Sequence, residues 1–265
     1  MILDEILAET RREVARRKAT VSPGELEKQA LASAPCGVAA GRGFGDSLAQ
    51  AGIRCISEIK RRSPSAGWIA EKADAVATAK AYRDAGAAAI SVLTDGPFFG
   101  GSLDDLRAVR AAVQTPLLRK DFMVDAYQIA EARLAGADAI LLIVAALQDD
   151  EMKHLYDEAA RFGLDVLVEA HTEEEVARAV ALGARIVGVN HRDLKTFKVD
   201  TTLAVRMRSA VPKGTLLVAE SGIRDQADVE RMRAGGIDAI LVGESLMKTG
   251  DPGDALTRLL RSPHS

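Results

Sequence analysis

From residue 53 onward, short apolar runs alternate with amphipathic segments, and this alternation narrows the possible folds more than any other feature. The runs are IRCISEI, AAAISVLT, PLLRK, ADAILLIV, LDVLVEA, ARIVGVN, GTLLVAESG and IDAILVGES. Between them lie segments such as DAVATAKAYRDAG, DAYQIAEARLAG, DDEMKHLYDEAARFG and TEEEVARAVALG. Runs that short and rich in Val, Ile and Leu read as buried strands, and the segments between read as helices. Gly86, Gly136, Gly163 and Gly183 each close a helical segment just before the next run, where a left-handed residue stops a helix. The phrases AGAAAISV, AGADAILL, LGARIVGV and GGIDAILV form a weak internal repeat. Strand–helix alternation builds a parallel sheet, and eight such units close into a (β/α)8 barrel. An open doubly wound sheet is the competing α/β arrangement, but no GxGxxG follows the first run. The expected fold is a (β/α)8 TIM barrel.

The 265 residues, 48% of them apolar, suffice for one large core. The chain reads as a single domain over 1–265, with an N-terminal helical extension at 1–47 and barrel repeats at 53–262. Within the extension, Ile2, Leu3, Ile6 and Leu7 recur at helical spacing. A second helix is expected after Ser22, with Pro23 at its first position and Glu25 three residues beyond the cap. This start reads as an acidic amphipathic helix rather than a secretion signal. No apolar run reaches membrane-spanning length. A net charge of −3 argues against nucleic acid or an anionic membrane as partner. Cys36 and Cys55 fit no metal or redox spacing and read as reduced thiols. His154, His171, His191 and His264 are scattered. A cytoplasmic, metal-free protein is the expectation.

Side chains two apart on a strand point the same way, so Glu58 and Lys60 project together from the end of the first run. Later strands also end in polar groups: Lys120 and Asp121 on the third, Glu169 on the fifth, Asn190 and Arg192 on the sixth. The seventh ends in Glu220, Ser221 and Gly222, and the eighth in Gly243 and Glu244. In a barrel of this type those ends form the active-site mouth. The loops after strands 7 and 8 often cradle phosphate, and Gly222 and Gly243 let backbone N–H groups approach an anion. Lys60 and Arg192 add positive charge for a second anionic group. Lys120 and Glu169 are the proton-transfer candidates. Lys120 fits either a general acid or a Schiff-base nucleophile, and sequence alone leaves both open. Phe99, Phe122, Leu141, Ile143, Leu194 and Phe197 could floor an aromatic ring; Phe98, Phe99 and Phe197 stand out because they follow strands.

The strings EIKRRSPSAG, FFGGS, RKDF, LLIVAAL, LVEAH, VNHRDL, VAESGI and VGESLM together resemble the indole-3-glycerol phosphate synthase family over roughly residues 44–250. The resemblance extends to the helical extension. It implies a barrel that converts 1-(o-carboxyphenylamino)-1-deoxyribulose 5-phosphate to indole-3-glycerol phosphate, releasing carbon dioxide and water, without cofactor or metal. It implies Lys120 as general acid, Glu169 as general base, and Glu58 with Lys60 in substrate orientation and dehydration. Asn190 and Arg192 would hold the reacting part and the carboxylate, with Glu220 and Ser221 also in the site. Ser63, Gly222, Gly243 and the backbone of Glu244 match the phosphate cradle. Phe99, Phe122, Leu141, Ile143, Leu194 and Phe197 match the anthranilate pocket. Two positions depart from the family: His191, where Asn is frequent, and Glu244, where Ser or Ala occurs. The partners implied are the phosphorylated small molecule and other enzymes of the tryptophan pathway. Competing readings are a Schiff-base aldolase acting through Lys120 and a non-catalytic barrel that binds a phosphorylated ligand.

Overall fold

The computed structural model describes residues 2–33, 42–193 and 196–261. Eight parallel strands close into a barrel: β1 Arg54–Ile59, β2 Ala89–Leu93, β3 Leu117–Lys120, β4 Ala139–Ile143, β5 Asp165–Ala170, β6 Ile186–Asn190, β7 Leu216–Glu220 and β8 Ala239–Val242. Each pairs with its sequence neighbour, and β8 returns to β1, with Arg54 opposite Ala239 and Ser57 opposite Val242. The expected barrel is therefore the observed one. Gly86, Gly136, Gly163 and Gly183 all take left-handed φ values, +85°, +82°, +71° and +81°. The side chains of Asp74, Ser102, Asp125, Thr172 and Asp225 cap the helices that follow β1, β2, β3, β5 and β7. Each satisfies a backbone N–H of the first turn that would otherwise lack a partner.

The period of two sorts the side chains into two layers. Ile56, Leu118, Leu141, Leu167, Ile186, Val218 and Leu241 fill the barrel interior. Cys55, Ile59, Leu117, Ile140, Val168, Val187, Leu217 and Ile240 pack outward against the helices. Glu58, Lys60, Lys120, Glu169, Asn190 and Glu220 share the parity of the inner set, so the strands aim them into the mouth.

Before β1 come α1 (Ile2–Thr20), α2 (Pro23–Ala32) and α3 (Phe44–Leu48). Ser22 caps α2 through the Glu25 N–H, with Pro23 leading the helix. Arg17 and Lys18 tie the end of α1 to Glu131 (2.7 Å) and Asp125 (2.6 Å) on the helix after β3. No described helix is long and apolar enough to cross a membrane. Cys55 is buried in β1 as a free thiol. Cys36, Leu194 and His264 fall outside the described residues.

One connection departs from the simple repeat. After β6 the chain forms a loop closed by a bridge between Arg192 and Val199, and only a short helix, Leu203–Met207, follows. The stretch HRDLKTFKVDTT lacks helical apolar spacing, and Asp193 turns it by accepting the Thr196 N–H (2.6 Å).

The opposite end of the barrel is plugged by α3. Phe44 is fully buried and packs with Leu48, Ile56, Leu118 and Ile186. The Gly45 N–H donates to Asp165 at the start of β5 (2.9 Å), which fixes the plug in place. Phe44→Ala would leave a cavity that this closed ring cannot collapse to fill. We expect a loss of about 3–5 kcal/mol in denaturant unfolding. A loss below about 1 kcal/mol would show that α3 does not seal the barrel floor.

Candidate active site

The centre of the mouth is Lys120 at the end of β3. Its Nζ donates to Glu169 Oε2 at 2.8 Å and to Glu220 Oε2 at 2.7 Å. Glu169 also receives the Asn190 amide (3.2 Å), and His171 Nε2 stands 3.3 Å from its second oxygen. The far nitrogen of His171 lies 3.3 Å from Glu175, which also accepts the His171 backbone N–H. Beside this cluster, Lys60 pairs with Glu58 at 3.0 Å. Ser91 donates to the other Glu58 oxygen. The ends of β1, β3, β5 and β7 thus supply two adjacent groups of acids and bases, Lys120 with Glu169 and Glu220, and Lys60 with Glu58.

The charges within it follow from burial and neighbours. Burial alone would push Lys120 down, but the carboxylates of Glu169, Glu220 and Glu58 outweigh it and hold Lys120 above its usual range. Burial pushes Glu169 up, yet Lys120 and His171 outweigh that and hold it well below the usual carboxylate range. For Glu220, burial dominates and Glu169 adds repulsion, so despite Lys120 it is pushed up to about 8. Burial would lower His171, but Glu169 and Glu175 raise it to about 10. At neutral pH the cluster therefore holds a lysinium, an imidazolium, one carboxylate and one protonated carboxyl. Lys120 donates to Glu220 Oε2, and the buried Oε1 has no partner among the described residues.

Two joined cavities open here. The inner one, about 130 Å³, is lined by Phe99, Phe122, Leu141, Ile143 and Phe197 together with Lys120, Glu169, Asn190 and Glu220. The Phe99 and Phe122 rings lie 5.9 Å apart at a tilt of 36°. The outer groove, about 560 Å³, runs past Gly222, Gly243, Glu244, Ser245 and Lys248. Both share Glu58, Lys60, Arg192, Ser221, Leu241 and Glu244. In the groove the Glu244 carboxylate turns to cations, with Lys248 at 2.7 Å and Arg192 at 3.5 Å. Lys248 above all holds it below the usual carboxylate range.

Several placements differ from the sequence reading. Ser63 lines the inner cavity rather than the outer groove, and its hydroxyl accepts the Ala66 N–H. Asp121 is held by Arg119 (2.8 Å) and Thr94 (2.6 Å), both outside the Lys120 cluster. Phe98 faces α1 beside Asp4, Ala8 and Arg12 instead of the site, because Asp95 pins the Phe98 and Phe99 N–H groups and only Phe99 turns inward. Five contributors were missed. His171 has the inner parity of Glu169, two residues back, a signal that was available. Ile2, Leu3 and Ile6 of α1 line the inner cavity, which no local pattern announces. Gly188 on β6 faces Glu220.

A (β/α)8 barrel with a protonated lysine between two carboxyl groups, opening on a basic groove, defines an enzyme of acid–base chemistry. The relatives narrow this class. The family model for indole-3-glycerol phosphate synthase matches residues 3–259. Indole-3-glycerol phosphate synthases from Rhodopirellula baltica and Nocardioides sp. are 49% and 50% identical over 262 and 258 residues. These alignments cover 98% and 97% of this chain, and 99% and 97% of theirs. The chain belongs to the indole-3-glycerol phosphate synthase family, carboxy-lyases of tryptophan biosynthesis. Among solved structures, it is similar to a tryptophan synthase α-subunit mutant from Pyrococcus furiosus (TM-score 0.60, 15% identity, 78% of this chain and 97% of that one). A thiamine phosphate pyrophosphorylase from the same organism gives a TM-score of 0.59 at 17% identity, over 82% of this chain and 96% of that one. These two show the shared barrel alone.

Gly188 makes room for Glu220. A Cβ there would overlap Glu220 Oε1 and crowd Leu167. The obstructed atom is the end of a side chain, so Gly188→Ala should fold and displace the carboxyl. We expect kcat to fall at least about tenfold, the scale of displacing one carboxyl of the Lys120 cluster, with an unchanged circular dichroism spectrum. Parent-like turnover would show that Glu220 tolerates a new position.

Proposed function

We propose that the mouth closes an indole ring with Lys120 as the acid and Glu169 as the base. The observation that carries this is the join between an apolar inner cavity and a basic outer groove, with the lysine–carboxylate cluster at the inner end. A substrate with an aromatic ring at one end and a phosphate at the other fits that division. The substrate is 1-(o-carboxyphenylamino)-1-deoxyribulose 5-phosphate. Its ring packs against Phe99, Phe122, Leu141, Ile143 and Phe197, and its phosphate lies against Gly222, Gly243 and the backbone of Glu244. Lys60 and Arg192, common to both cavities, hold the carboxylate.

Ring closure joins the carboxylate-bearing aromatic carbon to the ketone carbon, and Lys120 gives its proton to the oxygen as charge develops. Loss of carbon dioxide returns the electron pair to the ring and restores its aromaticity. Dehydration then breaks a C–H and a C–O bond, with Glu169 taking the proton and Glu220 or Lys60 protonating the departing hydroxyl. Two protons are given and one is recovered, so one comes from solvent. Glu169 is a weak base while Lys120 is charged, and the first transfer removes that cation. Its basicity then rises when the later step needs it.

The Schiff-base reading requires a free amine, and the acidic side chains around Lys120, Glu169 first among them, keep it protonated. A reducing, cytoplasmic setting belongs to the same proposal and suits the Cys55 thiol.

The test is fluorescence detection of indole-3-glycerol phosphate formed from this substrate. Lys120→Met should lower kcat by at least about 100-fold, a usual size for a general acid. Near-normal turnover would remove Lys120 from the mechanism. A second test concerns Glu220, pushed up to about 8. Below that pH it is protonated and can donate; above it the proton is lost. Activity should therefore decline as pH rises through about 8, and Glu220→Gln should erase that limb because an amide does not titrate. Persistence of the limb in Glu220→Gln would assign it to another group.

A further inference from the structure

His191 lies outside the proton-transfer cluster, yet it is buried and tied to the groove. It has the outer parity of β6, opposite to Asn190, and is only 2% exposed. Its backbone N–H donates to Glu220 O (2.9 Å), and its carbonyl accepts the Asp200 N–H (2.9 Å). The ring Nδ1 is 2.9 Å from the Ser221 carbonyl. A carbonyl only accepts, so Nδ1 bears the proton. Nε2 is buried without a partner among the described residues. Burial holds the ring below its ordinary pKa, although Asp200 and Asp228 raise it and Arg206 adds to the lowering.

The residue it grips is unusual. Ser221 has φ +67°, a left-handed conformation unfavourable for any residue with a Cβ, and Gly222 follows at φ +76°. A Cβ on Gly222 would come 2.5 Å from Val199 Cγ1, so the turn is packed closely against the loop after β6. No described peptide is cis. In a planar trans peptide the carbonyl and the following N–H point in opposite directions. The Ser221 carbonyl faces His191, so the Gly222 N–H faces away from it.

We propose that His191 is a positioning residue for the anion groove: its Nδ1–H holds the Ser221–Gly222 peptide so that the Gly222 N–H faces a bound phosphate. This rests on the groove being the phosphate cradle. It also assigns a task to a side chain that touches neither substrate nor reacting atoms.

The test compares two substitutions of matched shape. Asn carries a nitrogen two bonds from Cβ, as His carries Nδ1; Leu has the same branching without a donor. Substrate KM, kcat and competitive inhibition by inorganic phosphate are measured for the parent and both variants. His191→Asn should keep KM and the phosphate inhibition constant within about threefold. His191→Leu should raise both about tenfold, the scale of one hydrogen bond to a charged group, with kcat within about twofold. If the leucine variant does not fold, His191→Gln replaces it; its amide nitrogen lies one bond farther out, and it should lose phosphate affinity similarly. Unchanged phosphate inhibition in His191→Leu, or a loss confined to kcat, overturns the proposal. Failure of phosphate to compete with substrate on the parent chain overturns the cradle reading instead, and leaves His191 nothing to orient.

Discussion

The structure depends on one lysine shared by two buried carboxyl groups. Lys120, Glu169 and Glu220 stand on β3, β5 and β7, and only closure of the barrel brings those strand ends together. Burying ions costs several kcal/mol each unless charge and hydrogen bonds compensate. The arrangement reduces that cost by carrying one fewer negative charge than it has carboxyl groups, since Glu220 keeps its proton at neutral pH. Neighbouring groups serve this balance. Asn190 and His171 steady Glu169, and Gly188 leaves space for Glu220. Gly243 does the same for Glu58, whose carboxylate a Cβ would meet at 2.7 Å.

A strand end has two faces, and β3 uses both. Lys120 points into the mouth, while Arg119 points outward and is 2% exposed. Arg119 donates to the Gln128 carbonyl (2.7 Å) and to Asp121 (2.8 Å), and it approaches Glu131 at 3.4 Å. Glu131 in turn holds Arg17 of α1. Rigid placement of Lys120 and docking of the N-terminal helix are therefore opposite sides of one short segment. The same division applies on β6, where Asn190 serves the cluster and His191, on the outer side, serves the Ser221 turn.

Much of this was legible in the sequence, because a period of two makes parity predictive. Glu58, Lys60, Lys120, Glu169, Asn190 and Glu220 could be aimed inward from their spacing to Ile56, Leu118, Leu167, Ile186 and Val218. Four glycines announced where helices stop, and Ser22 with Pro23 announced where α2 starts. Other contributors left weaker traces. A glycine inside a strand says that something approaches closely, but not that it is Glu220. Phe98 and Phe99 are adjacent and alike in sequence; only the Asp95 turn decides which faces the cavity. The α1 residues at the cavity wall are separated from the strands by a long stretch of chain, and amphipathic spacing says that they pack without saying against what. Charge states were the least legible, since Glu169 and Glu220 are the same residue type at equivalent strand ends. Their opposite shifts arise from contacts that exist only in three dimensions.

Those opposite shifts also give the helical extension a part in the electrostatics of the mouth. Ile2, Leu3 and Ile6 help to wall the inner cavity, and the Lys120 side chain is only 12% exposed. Attraction between Lys120 and Glu169 strengthens as the effective dielectric falls, and so does the mutual repulsion of Glu169 and Glu220. An apolar wall therefore widens the separation between a carboxylate held ionised and a carboxyl held protonated. It also means that a single proton leaving Lys120 changes both neighbours at once, raising the proton affinity of Glu169 and of Glu220. The three groups are thus coupled without any movement of the backbone. The extension supports that coupling by keeping water from screening three groups that lie within hydrogen-bond reach of one another.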